Sequence, residues 1–301
     1  MKKIIKKSFL RFPYIKKLYQ DLQTYKTWKP PGHYYSPIPD IDYVDKNYSR
    51  ITKRLENYAG LELRNESQKD LLISMSRFYS DIPYQEEKQP DYRYYFNNSF
   101  FCYGDAILLY CMLRHVQPNQ IIEVGSGFSS SIMLDVNQHY LSRSMKLTFI
   151  EPYPERLNTL LKPEDTSQSC IKKGFVQDVE VDFFRNLERG DILFIDSSHV
   201  SKAGSDLNYF LFQVLPILQD GVIVHFHDIF HNFEYPLEWI KQGRAWNESY
   251  LLRAFLQYND AFHILLFNAY QGKYESQWMN QHMPLFMKNP GGSIWLQVHK
   301  S

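Results

Sequence analysis

Ile121-Ile-Glu-Val-Gly-Ser-Gly-Phe-Ser-Ser130 is the stretch on which the fold turns. An apolar run of strand length breaks into two glycines one residue apart, Gly125 and Gly127, with an acid, Glu123, just upstream. A buried strand leading through a glycine-rich turn into a helix aims backbone N–H groups at its own carboxyl end, where open parallel sheets bind their ligands. Glycine at both positions predicts a tight turn and close approach of a ligand to bare backbone. The dinucleotide fingerprint asks for a third glycine three positions on, where Ser130 stands, and this weakens a pyrophosphate reading.

Working outward, apolar runs recur with helical stretches between them. The strands are expected at 120–124, 146–151, 169–176, 191–196 and 221–228, with helices near 129–140, 154–161, 181–188 and 204–218. This alternation predicts an α/β fold, a mostly parallel sheet with helices on both faces. Residues 261–267 and 293–299 read as closing strands, separated by a span without clear helical period. Upstream, an aromatic-rich approach leads into a helix from Tyr103 to His115, and helical spacing recurs over 47–80 with Gly60 as a stop.

Residues 1–95 are expected to form a helical and extended appendage, serving as a lid or oligomerisation segment. The sheet domain occupies 96–301. Pro30, Pro31, Pro37 and Pro39 forbid regular helix in WKPPGHYYSPIPD. The basic start, with Lys2, Lys3, Lys6, Lys7, Lys16 and Lys17, lacks a small-residue cleavage site and is cut by Arg11 and Pro13. A solvated amphipathic helix is preferred there, with peripheral contact to an anionic membrane or partner as the alternative.

The 301 residues carry a net charge of +1, so no global field demands nucleic acid as partner. Three scattered cysteines, Cys102, Cys111 and Cys170, have no metal-ligand spacing and suit a reducing cytoplasm. No run reaches the roughly 18 to 20 apolar residues that span a bilayer. Cytoplasmic localisation is the expectation, and homo-oligomerisation stays open.

E-x-G-x-G after the first strand resembles motif I of the class I S-adenosylmethionine-dependent methyltransferases. The segments FIDSSH, GSDL and VLPILQDGVIVHFHDIF resemble a bacterial group of small-molecule O-methyltransferases, and the likeness covers roughly 98–300. The resemblance implies a Rossmann-like methyltransferase sheet whose last strand is antiparallel. It implies S-adenosyl-L-methionine as cofactor, held by Glu123, Gly125, Ser126, Gly127, Glu151, Asp178 and Asp196. Glu151, 24 residues after Gly127, would take the ribose hydroxyls, and Asp178 the adenine amino group. A carboxylate at Glu123 would repel a pyrophosphate and tolerate a sulfonium with an ammonium.

Methyl transfer to a hydroxyl needs a base. Acids and imidazoles converge on one sheet edge: Asp196 and His199 after the fourth strand, His225, His227 and Asp228 at the fifth. His227 is the expected base and His199 the next candidate, with Asp196 or Asp228 orienting an imidazole. The same two acids are the ligands if a divalent metal assists, which is not favoured, because His227 stands where related catechol-type enzymes often carry an acid and Mg²⁺ prefers oxygen donors. Phe230, Phe233, Tyr235, Trp239 and Trp246 offer aromatic walls for a glycan or natural-product acceptor. A nicotinamide-dependent oxidoreductase and a non-catalytic cofactor- or glycan-binding scaffold remain the alternatives.

Overall fold

The computed structural model of the protein describes residues 12–24, 27–55, 57–167 and 169–300. Lys2, Lys3, Lys6 and Lys7 of the expected basic helix lie outside the described residues; within them a helix, α1, runs over Pro13–Thr24. The chain divides into two compact units, Met1–Tyr48 with Leu237–Ala245, and Ser49–Pro236 with Trp246–Ser301.

In the smaller unit, helix α2 spans Ile41–Leu55 up to Tyr48, and α8 covers Leu237–Lys241. Lys241 Nζ pairs with Asp45 at 2.9 Å. The proline-rich segment folds as a closed turn, with Gly32 N–H donating to Ile38 O at 3.0 Å.

In the larger unit, seven strands form one sheet in the order β3-β2-β1-β4-β5-β7-β6. They are β1 (Gln120–Val124), β2 (Lys146–Ile150), β3 (Ser169–Lys172), β4 (Ile192–Ile195), β5 (Ile223–His227), β6 (Phe262–Phe267) and β7 (Ser293–Val298). The first five run parallel, and β7 inserts antiparallel between β5 and β6. Every residue of β4 and β5 is buried, as expected where helices cover both faces. The chain moves from β1 outward to β2 and β3, then crosses back to β4, so the order reverses between β1 and β4. A crevice opens at the carboxyl ends of strands at such a reversal.

The expected strands and the helix α4 (Tyr103–Val116) stand within a few residues of their places. Buried from Gly104 to Leu113, α4 is apolar nearly all round, as a helix inside a core must be. Helix α5, Phe128–Tyr140, leaves the glycine loop, and α6, Glu155–Leu160, follows β2. Three expectations fail, the first being the helix near 181–188, which is a 3₁₀ helix over Val181–Asn186. The single helix expected over 204–218 is instead helix α7 (Asp206–Tyr209), a π turn (Phe210–Val214) and a 3₁₀ turn (Leu215–Ile217). Pro216 has no N–H to donate and its ring clashes with the carbonyl four residues back. The span 271–292, expected to show no clear helical period, takes in the end of α10 (Asn268–Tyr274) and the whole of α11 (Ser276–His282), each too short for a period to be read.

Residues 49–95, expected with the appendage, pack within the larger unit. Helix α3 (Asn65–Ser76) buries Gln68, whose Oε1 accepts from Phe267 N at 2.8 Å and Gln271 Nε2 at 2.7 Å. Arg93, 2% exposed, donates to Asp135 at 2.8 Å and through Nε to Asp165 at 2.8 Å. Its removal strands two buried carboxylates. Arg93→Ala is therefore expected to cost about 3–5 kcal/mol of stability, read as a shift in the urea midpoint.

Candidate active site

Gly125 follows β1 at φ +83, and a Cβ built there would lie 1.6 Å from the backbone oxygen of Asp196. What needs the bare backbone is thus the neighbouring strand exit: Asp196 N donates to Val124 O at 2.9 Å and carries the β4 chain across the glycine. Gly127 differs. Its φ of −177 is extended backbone open to any residue, and an added Cβ meets only Arg156 Cδ at 3.4 Å. Within the protein itself, then, only Gly125 is required by its neighbours to lack a Cβ.

The loop's amides are consumed internally. Ser126 N donates to Glu151 Oε2 at 3.0 Å, and Tyr153 N to Glu151 Oε1 at 2.8 Å. Gly127 N donates to Ser130 Oγ at 3.0 Å. Ser130, standing where the dinucleotide fingerprint has glycine, thereby takes the N–H that would otherwise meet a phosphate. Glu123 lies behind the loop, fully buried, accepting from Ser129 Oγ at 2.5 Å and from the Ser130 hydroxyl. Burial pushes its carboxyl up to about 8 against the serine hydroxyls that hold it down. Without a cation beside it, burial thus favours the protonated form of Glu123, and the spent amides of the loop add a second reason to disfavour a pyrophosphate.

Beside this loop lies a cavity of about 320 Å³. Gly125, Glu151 and Asp196 line it, with Tyr153, Phe175, Val176, Gln177, Ser197 and Lys202. Asp178 lies apart, lining a neighbouring groove with Lys172 and Phe183. Gln177, which the sequence reading passed over, enters in its place, and its Oε1 is buried without a hydrogen-bond partner.

The strand ends bring Asp196, His199, His227 and Asp228 together. His199 and Asp228 occupy left-handed backbone at φ 59 and 56, which non-glycine residues adopt at a cost and which clusters at functional sites. The His199 carbonyl accepts from Asn247 N at 3.1 Å and Glu248 N at 3.2 Å, holding that conformation. Its ring is set by Glu248 Oε2, 2.7 Å from Nδ1, and by Trp246, whose ring centroid is 4.3 Å away. Nε2 then faces Asp196 Oδ1 at 3.4 Å and Asp228 Oδ2 at 3.6 Å. Burial opposes charge on His199, but Asp196 and Glu248 outweigh it and hold the imidazole well above the usual range. The carboxylates around His199 thus favour its protonated form.

His227 Nε2 stands 3.7 Å from Asp228 Oδ1, its ring tilted on Phe101 at 5.1 Å. Burial lowers its pKa, yet the nearby carboxylates of Asp196, Asp228 and Asp105 leave it raised. Asp196, His227 and Asp228 offer ligand atoms within 4.8 Å of one another. His225 is a core residue: it stacks on Phe194 at 3.9 Å and meets Trp295 at 4.3 Å, and burial drives its pKa well down.

Among the expected aromatic walls, Phe233 and Tyr235 are fully buried in the core, Trp239 falls in the smaller unit, and Trp246 reaches the site. Glu248 was missed. An acid in the first turn of a helix, here α9 (Glu248–Leu256), reads as a dipole partner, with nothing to mark it as a histidine's anchor.

Residues 122–229 match a family model described as a methyltransferase domain. An uncharacterized protein of Archaeoglobus fulgidus is 36% identical over 170 residues, which is 54% of this chain and 75% of that protein. Among solved structures, the SAH-bound methyltransferase PaMTH1 of Podospora anserina aligns with a TM-score of 0.44 at 13% identity, covering 85% of this chain and 97% of that one. The O-methyltransferase TomG of Streptomyces achromogenes, in complex with SAM, aligns at 0.40 and 13% identity over 80% of this chain and 92% of its own.

Proposed function

Because the chain belongs to the class I S-adenosylmethionine-dependent methyltransferases, we propose that it methylates a hydroxyl of a small-molecule or glycan acceptor with His227 as general base. The observation that carries this reading is the shared Asp196, which lines the cavity and also stands in the carboxylate–imidazole cluster.

The residues present fit the cofactor. Each oxygen of Glu151 already accepts one backbone N–H and keeps a lone pair for a ribose hydroxyl, while the unpartnered Gln177 Oε1 offers an acceptor to an adenine amino group. When bound, the cofactor supplies an electrophilic methyl on a sulfonium. The chain's own residues do the rest. His227 takes the acceptor's hydroxyl proton, and Asp228 and Asp196 stabilise the imidazolium that results. His199, clamped by Glu248, neutralises the two aspartates and holds them in place.

Metal assistance is the second reading, favoured by the three converging donors Asp196, His227 and Asp228. A mixed nitrogen and oxygen set suits a transition metal better than Mg²⁺. Methyl transfer to a panel of phenols and methyl glycosides, with and without a chelator, separates the two. Transfer that survives chelation supports the histidine base, loss of it supports the metal, and absence of S-adenosylmethionine binding in calorimetry rejects both.

Glu123 adds a linkage. A positive charge brought beside the loop favours its carboxylate, so cofactor uptake near pH 7 is expected to release a proton and to strengthen as pH rises through about 8. Calorimetry in buffers of different ionisation enthalpy reads that proton. Glu123→Gln is expected to retain binding and lose the buffer dependence.

A further inference from the structure

The smaller unit carries features that methyl transfer does not use. The first 31 residues hold nine Lys and Arg against one Asp, a local charge of +8 in a chain whose total is +1. The remaining residues are thus net −7, so the basic charge is segregated at one end.

Among the described residues of this unit the structure exposes aromatic side chains that a folded protein usually covers. Trp28 is 79% and Tyr34 91% exposed. Tyr35 joins them, its ring centroid 5.4 Å from Trp28 and 5.2 Å from Tyr34, and Lys29 Nζ lies 5.3 Å over the Trp28 ring. The turn presenting them is hydrogen-bonded, Gly32 N to Ile38 O at 3.0 Å and Ser36 N to His33 O at 2.7 Å, so the cluster is preformed. On α1, Tyr14 and Leu18 share one exposed face at i and i+4.

We infer that this unit is a docking surface for an anionic lipid bilayer. Trp and Tyr, with an apolar body and a polar tip, settle at the headgroup level, and lysines among them meet anionic lipid. The aliphatic Ile4, Ile5 and Leu10 among the bases suit acyl chains, which a nucleic-acid surface does not need. No helix among the described residues is long and apolar enough to cross a membrane, so the contact lies in the interface. The inference rests on this unit alone and stands apart from the acceptor's identity.

The full-length protein is sedimented with vesicles of phosphatidylcholine alone and of phosphatidylcholine mixed with phosphatidylglycerol. Binding is expected with the anionic vesicles only, and it should weaken as added salt shortens the Debye length from about 30 Å at 0.01 M to about 8 Å at 0.15 M. Lys16→Gln with Lys17→Gln is expected to weaken partitioning about tenfold or more. Trp28→Ser with Tyr34→Ser is expected to weaken it by about tenfold as well. Both double variants should melt where the parent does, since all four side chains are exposed. Failure to sediment with phosphatidylglycerol vesicles overturns the inference, as does binding indifferent to the aromatic pair. Capture of a DNA duplex with the same dependence on Trp28 and Tyr34 overturns it in favour of nucleic acid.

Discussion

Gly125→Ala is expected to weaken S-adenosylmethionine binding about a hundredfold or more, while Gly127→Ala stays within about threefold of the parent. The asymmetry follows from backbone geometry. At φ +83 any L side chain is strained, and here its Cβ would land 1.6 Å from the Asp196 carbonyl oxygen, so the exits of β1 and β4 must separate. That separation opens the hydrogen bond from Asp196 N to Val124 O and moves Asp196, a wall of the cavity and a member of the carboxylate–imidazole cluster. Gly127 has only the flexible Arg156 side chain in its way. Titration calorimetry on both variants, with circular dichroism to establish folding, checks the pair. Equal losses at the two positions would mean that the ligand, not the neighbouring strand, needs the bare backbone.

His227→Ala is expected to lower kcat by about 10²–10⁴-fold, the range a positioned base contributes, with cofactor affinity unchanged. The parent's pH profile supplies the second signature. The carboxylates of Asp196, Asp228 and Asp105 overcome burial and raise the pKa of His227, so its basic form accumulates only above the usual histidine range. Activity should therefore rise with pH, with a midpoint above about 6.5, and the His227→Ala residue of activity should be flat across that interval. Methyl transfer by the variant at the parent's rate would remove His227 from the mechanism.

Much of the fold could be read from the chain because its strands are short apolar runs bounded by polar turns. QIIEV, ILFI and IVHFH bury nearly every residue, and covered parallel strands leave that pattern. Helical detail was harder. Pro216 breaks its helix through a missing donor, and the helices of 268–282 are seven residues each, below the length at which a 3.6-residue period declares itself. In the cluster, Asp196, His199, His227 and Asp228 were legible because consecutive strand ends must share one edge. Glu248 was not, since it reaches His199 from 49 residues downstream by a route that only folding defines. The roles of Gly125 and Gly127 look alike on paper and separate once φ is known.

The return of the chain at Trp246 has an architectural consequence. Tyr235 Oη accepts from Ser249 N at 3.1 Å, and Trp246 lies on His199, so both flanks of the 237–245 excursion are tied down within the larger unit. A change of length within 237–245 would thus fall in the smaller unit and leave the order of the sheet untouched.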